Sequence, residues 1–203
     1  MNPKDFRERL AAERVLAIIR APSSAEAERR AWAVRDAGIG IIEVSWTTPD
    51  VARILQRLRK AVPCLGAGTV LTPAQAVASW EAGAQFLVAP SFSAAVAAVA
   101  REHDVTYIPG VFTAQEVSVA LDAGCTLLKL FPASTGGVDH LKALVDPFPG
   151  IEWIPTGGVT WENAGAWIEA GALAVGMGQA LFRHDNLKDA VMALRRGKPA
   201  WES

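Results

Sequence analysis

The sequence predicts an α/β fold built on parallel strands, and three observations support this prediction. Short apolar runs alternate with amphipathic helical stretches along the chain. Most of these runs are continuously apolar, which is typical of parallel strands that are covered on both faces. An acid-Ala-Gly triplet precedes every second run, and glycine suits the left-handed position that ends a helix. Eight strand-helix units predict a compact, closed (β/α)8 barrel, a TIM barrel, with an extra N-terminal helix and a single domain spanning residues 1–203.

The predicted elements follow one another in a regular order. A charged amphipathic helix at Asp5–Glu13 opens the chain, before the first apolar run. The predicted strands are Val15–Ile19, Gly40–Val44, Cys64–Gly66, Phe86–Ala89, Thr106–Ile108, Thr126–Leu130, Glu152–Ile154 and Ala174–Gly176. The stretches between them are long enough for the helical crossovers that parallel strands need.

Capping patterns mark the helix boundaries. Helix starts with capping-box spacing are predicted at Ser23 with Glu26, Thr72 with Gln75, and Thr113 with Glu116. Proline takes a predicted first helical position in Thr48-Pro49 and Thr72-Pro73. The helix-ending triplets are Asp36–Gly38, Glu81–Gly83, Asp122–Gly124 and Glu169–Gly171. Their regular spacing, near twice one strand-helix unit, indicates a repeated architecture.

An open, doubly wound sheet is the alternative fold. The chain has 203 residues, fewer than the ~250 typical of a closed barrel, so compact loops are expected. A dinucleotide-binding open sheet needs a glycine-rich first turn, whereas the turn after Val15–Ile19 is Arg20-Ala21-Pro22-Ser23. In either fold ligands bind at the carboxyl ends of the strands, so functional residues are expected there.

Composition excludes several classes of function. The chain is 51% hydrophobic, and its 20 basic and 21 acidic residues give no charged field for nucleic acid or anionic lipid. The charged N-terminus is not followed by a signal-type apolar block, and no apolar run reaches spanning length, which predicts a soluble cytoplasmic protein without membrane contact. Cys64 and Cys125 are expected to be buried thiols rather than a disulfide. The histidines form no metal-ligand motif, so neither metal nor cofactor is expected.

Lys129 is the candidate nucleophile. It lies inside the apolar run Leu127-Leu128-Lys129-Leu130, although lysine is rarely buried without a partner or a task. The other lysines occupy polar or helical surroundings: Lys4, Lys60, Lys142, Lys188 and Lys198. An apolar setting favours the neutral amine, which attacks carbonyl groups to form a Schiff base. The structural alternative is a lysine that extends from a strand end towards water.

Glu43 is the candidate acid or base. It directly follows Gly40-Ile41-Ile42 in another predicted strand, where a carboxylate needs a partner, a water or a catalytic duty. The structural alternative is an ion pair with Arg20 or Lys129. A lysine and a carboxylate at the same end of a barrel are the two groups that imine chemistry requires. The amine provides an electron sink once it has formed the imine, and the carboxylate transfers protons.

Glycines in two late loops predict an anion site. Gly157 and Gly158 lie between a strand and a capped helix, where bare backbone N–H groups bind anions. Gly176 and Gly178 occupy the next predicted loop. Barrels commonly bind phosphate with the loops after strands seven and eight, so a phosphate-bearing ligand is favoured over ordinary tight turns.

Five segments together resemble the 2-keto-3-deoxy-6-phosphogluconate (KDPG) aldolase family, which includes 4-hydroxy-2-oxoglutarate aldolases. They are Ile42-Glu43-Val44, Gly66-Ala67-Gly68-Thr69-Val70, Pro109-Gly110-Val111, Leu128-Lys129-Leu130-Phe131-Pro132-Ala133 and Pro155-Thr156-Gly157-Gly158-Val159. The resemblance covers Val15 to Phe182. It implies a metal-free class I aldolase, an aldehyde-lyase of carbohydrate metabolism and the Entner–Doudoroff pathway. It also implies a (β/α)8 barrel and a homotrimer.

The resemblance also implies residue roles. Lys129 would form the Schiff base with a small 2-keto acid, and Glu43 would be the general acid/base. The remaining substrate-binding residues would be Arg20 and Thr69 on the pyruvate carboxylate, Pro90 and Phe131 lining the site, and Thr156, Gly157, Gly158, Gly176, Gly178 and Gln179 in the phosphate loops. The expected reaction is reversible cleavage of KDPG, or a close stereoisomer, into pyruvate and glyceraldehyde 3-phosphate.

The chain departs from the family pattern at two places, and alternative functions stay open. Many members carry an arginine shortly after the glutamate, where this chain has Ser45-Trp46-Thr47-Thr48, so carboxylate binding would depend more on Arg20. Members often place a serine on the phosphate where Gln179 stands. The alternatives are cleavage of 4-hydroxy-2-oxoglutarate into pyruvate and glyoxylate, a non-covalent sugar-phosphate isomerase or epimerase, and a catalytically silent scaffold. The stereochemistry at C4 of the preferred substrate is not predicted.

Overall fold

The computed structural model describes residues 3–184 and 186–196. These residues form an α/β fold in which α1 precedes the sheet. The helices are α1 (Pro3–Glu13), α2 (Ser24–Asp36), α3 (Val51–Leu58), α4 (Pro73–Glu81), α5 (Ala94–Glu102), α6 (Ala114–Asp122), α7 (Ala133–Val145), α8 (Trp161–Glu169) and α9 (Leu187–Arg195), with a 3-10 helix at Gln179–Arg183. The strands are β1 (Val15–Ile19), β2 (Ile41–Ser45), β3 (Cys64–Gly68), β4 (Phe86–Val88), β5 (Thr106–Ile108), β6 (Gly110–Val111), β7 (Leu127–Leu130), β8 (Glu152–Pro155) and β9 (Val175–Met177).

All paired strands are parallel, and they form two curled sheets. The larger sheet has the order β5-β4-β3-β2-β1-β9, and the smaller has the order β6-β7-β8. An isolated parallel bridge joins Thr156, just after β8, to Gly176 in β9. At the other edge only Pro109 separates β5 from β6, and its carbonyl accepts a 2.9 Å hydrogen bond from the amide of Lys129. Because every strand runs the same way, the carboxyl ends of both sheets lie on one side.

Alternation along the strands divides the apolar side chains into two clusters. The larger cluster packs the strands against the surrounding helices. The smaller lies on the inner side of the curled sheets and includes Leu16, Ile41, Phe86 and Leu127. Phe6 of α1 packs into this inner cluster, with its ring centroid 4.9 Å from that of Phe86. The predicted N-terminal helix therefore covers one end of the inner core.

The helix-ending triplets behave as predicted. Gly38, Gly83, Gly124 and Gly171 all have left-handed backbone angles, with φ between +83° and +102°. Each glycine follows a helix and leads within a few residues into a strand. The helix stop and the strand that follows are therefore both encoded in these short segments.

Most predicted boundaries are confirmed to within two residues, and the Thr72–Gln75 and Thr113–Glu116 capping boxes are complete. The prediction at Thr48-Pro49 is wrong, because α3 begins only at Val51. Thr48 is buried in a turn instead, where its hydroxyl accepts a hydrogen bond from the amide of Ala21. The short strand β6 was not predicted.

Among the residues that the structure describes, the cysteines and the metal-ligating residue types form no additional site. Cys64 is a buried free thiol as predicted, whereas Cys125 is only partly buried. Within the described ranges, no three His, Cys, Asp or Glu side chains are grouped to hold a metal ion. None of the helices in these ranges combines the length and the apolar character required to cross a bilayer.

Candidate active site

A cavity of about 510 Å³ opens at the carboxyl ends of the strands. All the site residues predicted from the sequence line it: Arg20, Glu43, Thr69, Pro90, Lys129, Phe131, Thr156, Gly157, Gly158, Gly176, Gly178 and Gln179. The tertiary structure thus brings these residues together, while their individual roles stay predictions. Sequence reasoning missed five lining residues: Ile18, Val159, Thr160, Ala180 and Arg183. Four of them lie within a few residues of the glycine loops in the sequence, and this proximity could have identified them: Val159, Thr160, Ala180 and Arg183.

Strand alternation directs Lys129 into the cavity. Lys129 lies two residues after Leu127, which belongs to the inner cluster, so both side chains point to the same face of β7. The side chain is only 6% exposed. Burial lowers the pKa of the Lys129 ammonium, the Glu43 carboxylate opposes this shift, and the charge of Arg20 adds to it. The four other lysines that the structure describes are exposed, and Lys198 lies outside the described residues.

Glu43 reaches the same cavity from β2. It lies two residues after the inner-facing Ile41 and is 1% exposed. Burial raises the pKa of Glu43 to about 7, against the opposing charges of Lys129 and Arg20. Its Oε2 atom has no hydrogen-bond partner among the described residues, and no salt bridge joins Glu43 to either cation. The geometry therefore does not support the alternative in which Glu43 only forms an ion pair with Arg20 or Lys129.

Gly68 makes room for the Glu43 carboxylate. A Cβ atom at Gly68 would lie 2.2 Å from Glu43 Oε1, well inside van der Waals contact. Gly68 pairs with Ser45 in the register between β2 and β3, so it lies beside the strand that carries Glu43. Glycine at this position thus leaves the space that the Glu43 carboxylate occupies, and any larger residue would force that carboxylate to move.

The raised pKa of Glu43 predicts a pH-dependent cost in stability. A glutamate has a pKa near 4.5 when it is not perturbed, and burial raises that of Glu43 to about 7. The contribution of Glu43 to stability is therefore fully present below pH 4.5 and is lost as pH rises through 7. Relative to Glu43→Gln, the free energy of unfolding of the wild type should fall by up to about 3 kcal/mol across this window. Urea unfolding at several pH values measures the difference.

The matched control for this measurement is Glu102→Gln, which alters an exposed glutamate on α5. Its stability difference from the wild type should stay constant over the same pH range. If the Glu43→Gln difference is also constant, burial of a titrating carboxyl group at this position is refuted.

Hydroxyl groups gather where β2 and β3 end. Ser45 Oγ lies 2.8 Å from Thr69 Oγ1 and 2.9 Å from Thr47 Oγ1. Thr69 has a left-handed φ of +57°, which is rare for a β-branched residue and typical of functional sites. Arg20 lies exposed at the end of β1, and its carbonyl is held by the Arg30 guanidinium at 2.8 Å. A hydroxyl and a guanidinium in one cavity suit a carboxylate ligand.

The loop after β8 presents free amide groups beside the first turn of α8. Gly157 and Gly158 have φ of +91° and +81°. Their N–H groups donate to no other described residue, while the carbonyl of Gly157 accepts a 2.9 Å hydrogen bond from the Ser134 amide. A Cβ atom at Gly158 would lie 2.4 Å from Ser134 Cβ, so the close approach of α7 requires glycine. Free amides at a helix N-terminus suit an anionic ligand.

Comparison with known proteins points to one family. The family model described as KDPG and KHG aldolase matches residues 6–194. A 2-dehydro-3-deoxy-6-phosphogalactonate aldolase of Escherichia coli is 36% identical over 173 residues, covering 83% of this chain and 84% of the relative. A 2-dehydro-3-deoxy-phosphogluconate aldolase of Treponema pallidum is 36% identical over 164 residues, covering 79% and 78%.

A solved structure adds a chemical observation about a relative. The KDPG aldolase of Legionella pneumophila, captured with pyruvate as a covalent carbinolamine intermediate, superposes with a TM-score of 0.80. It is 29% identical, and the match covers 93% of this chain and 95% of that structure. That protein therefore bonds covalently to pyruvate within the same fold.

Proposed function

The chain belongs to the family of KDPG and KHG aldolases, and from this premise we propose that it cleaves KDPG or a close stereoisomer into pyruvate and glyceraldehyde 3-phosphate. It is a class I aldolase, a lyase that acts through a Schiff base. The observation that carries the proposal is the pairing of Lys129 and Glu43 in one cavity, both buried and both with shifted pKa values. With pKa values shifted in these directions, the amine is suited to nucleophilic attack and the carboxyl group to proton transfer near neutral pH.

The first half of the reaction depends on Lys129. Burial lowers the pKa of its ammonium group, which increases the fraction present as neutral amine. The amine attacks the C2 carbonyl of the keto acid and forms a carbinolamine. Loss of water then gives the imine, whose nitrogen accepts electrons when the C3–C4 bond breaks.

The second half depends on Glu43 as a carboxylate and then as a carboxylic acid. The carboxylate takes the proton of the C4 hydroxyl, the C3–C4 bond breaks, and glyceraldehyde 3-phosphate leaves. The bonding electrons pass into an enamine on Lys129. Glu43 returns a proton to C3, and water hydrolyses the resulting imine to release pyruvate. A pKa of about 7 lets one group perform both transfers.

Substrate recognition is assigned to the two ends of the cavity. Arg20 and Thr69 hold the carboxylate next to C2, while Pro90 and Phe131 line the space around Lys129. The Lys129 Nζ atom lies 4.7 Å from the Phe131 ring centroid. The distal phosphate is assigned to the ends of β8 and β9 and the loops that follow them: Thr156, Gly157, Gly158, Gly176 (which lies within β9), Gly178 and Gln179. A Cβ atom at Gly176 would lie 2.2 Å from Thr156 Oγ1, so β9 packs closely against the residue that follows β8.

Borohydride reduction in the presence of pyruvate tests this function. The wild type should gain a permanent adduct on lysine, since reduction fixes the imine. A sugar-phosphate isomerase or a silent scaffold would gain none. The two relatives named for galactonate and gluconate substrates are each 36% identical to this chain over the aligned residues. A panel of KDPG, its C4 epimer and 4-hydroxy-2-oxoglutarate, compared by kcat/KM, therefore distinguishes the substrates.

The sheets are proposed to form one closed (β/α)8 barrel in a single domain over residues 1–203. Two contacts support closure: the Thr156–Gly176 bridge links β8 to β9, and the Lys129 amide bonds the carbonyl of Pro109 between β5 and β6. These contacts join the edges of the two curled sheets. A location in the cytoplasm also stays a proposal, based on the metabolic character of the family.

A homotrimer is expected in solution. Exposed apolar side chains support an interface, since Leu71 is 53% exposed and Trp80 is 41% exposed. Trp167, in contrast, is buried and contributes only to the core. Light scattering at micromolar concentration should give three times the chain mass. A monomeric mass would refute the expectation.

A further inference from the structure

Two arginines line the catalytic cavity, and the proposed function uses only one of them. Arg20 is assigned to the carboxylate, whereas Arg183 ends the 3-10 helix that follows Gly178. Its guanidinium forms no salt bridge or hydrogen bond with another described residue. We propose that Arg183 binds the distal phosphate and thereby sets the preference for phosphorylated over unphosphorylated 2-keto acids. This inference rests on the proposed function.

The charges of the two arginines act on different ends of the cavity. Arg20 affects the pKa values of both Glu43 and Lys129, so it lies at the reacting end. Arg183 is not among the charges that shift either pKa. The pKa of Glu162, in the first turn of α8, is lowered mainly by a hydrogen bond with the Thr160 side chain, and the charge of Arg183 makes a smaller contribution. Since charge interactions weaken with distance, Arg183 lies nearer to the N-terminus of α8 than to Lys129, and it lines the cavity together with Gly157 and Gly158.

The 3-10 helix that carries Arg183 is anchored to the rest of the fold. Leu181 is fully buried, and its amide donates a 3.0 Å hydrogen bond to the carbonyl of Gly178. The ring centroid of Phe182 lies 5.2 Å from the guanidinium carbon of Arg30 on α2. Arg183 therefore lies two residues after a buried side chain, at the end of the 3-10 helix, and it lines the cavity.

A cation would strengthen phosphate binding at this end, and the glycine loops do not supply one. Backbone amides donate hydrogen bonds but carry no net charge, and Gln179 is neutral as well. A phosphate monoester carries between one and two negative charges near neutral pH. The carboxylate of Glu162 disfavours another anion nearby, and Arg183 offsets that charge. A guanidinium also matches two phosphate oxygens with parallel hydrogen bonds.

The test compares Arg183→Ala, Arg183→Lys and wild type on KDPG and on its unphosphorylated counterpart. Arg183→Ala should lower kcat/KM for KDPG by roughly 10- to 100-fold, the value of one charge-assisted hydrogen bond. Its effect on kcat/KM for the unphosphorylated substrate should be several-fold smaller, and borohydride should still trap pyruvate on the variant. Arg183→Lys should fall between the two, because it keeps the charge but loses the paired donors. Inhibition by inorganic phosphate should weaken in the same order.

Arg53→Ala is the matched control, since Arg53 is an exposed arginine on α3 that does not line the cavity. It should alter neither substrate preference nor phosphate inhibition. Equal losses of Arg183→Ala on both substrates, or an unchanged preference, would overturn the inference while leaving the proposed function intact. Failure of the wild type to trap pyruvate and to cleave either substrate would instead overturn the proposed function, and the inference with it.

Discussion

Replacing Lys129 with methionine is expected to abolish both aldol cleavage and borohydride trapping of pyruvate, with the fold retained. Methionine has a length similar to lysine and suits the apolar, 6% exposed position in β7. The substitution removes a buried amine whose ionisation already opposes burial. Without an amine no imine forms, so activity should fall to background. Mass spectrometry after reduction measures the adduct, and circular dichroism checks the fold.

Lys142→Met provides the matched control for this result. Lys142 lies exposed on α7, where it pairs with Asp139 at 3.4 Å. That variant should trap pyruvate as the wild type does. If the Lys129 variant still gains the adduct on another lysine, the nucleophile has been assigned wrongly.

Replacing Glu43 with glutamine is expected to separate imine formation from proton transfer. Glutamine keeps the size of the side chain in the space that Gly68 provides, but it neither accepts nor returns the proton. The variant should still trap pyruvate with borohydride. Exchange of the pyruvate methyl protons with solvent should slow by ~10²–10⁴-fold, the usual loss on removing a positioned acid/base. NMR in D2O follows this exchange directly.

Glu102→Gln, on the exposed face of α5, should exchange these protons at the wild-type rate. Should the Glu43 variant match that rate, Glu43 has no part in the mechanism. The wild-type rate should also change with pH around 7, where the Glu43 carboxyl titrates. This pH dependence should be absent from the residual activity of the Glu43 variant.

Local sequence was sufficient to predict most of the secondary structure. Residue spacing encodes the caps at Thr72 and Thr113, and the left-handed glycines encode the helix ends. The helix start predicted at Thr48-Pro49 was wrong, because a capping pattern in the sequence does not reveal whether another group binds the threonine hydroxyl. The partner here is the amide of Ala21, which is distant in sequence. The same limit explains why β6 was missed, since its two residues are a strand only because β7 lies beside them.

The sequence by itself was sufficient to predict which groups carry the chemistry. A lysine and a glutamate inside apolar runs are anomalous in any parallel sheet, and the family segments place them in one kind of enzyme. Only the tertiary structure decided their environment. Burial shifts both pKa values, Gly68 leaves space for the carboxylate, and the 3-10 helix brings Arg183 to the cavity. These properties depend on contacts between strands and loops far apart in the chain, and no local pattern of residues specifies such contacts.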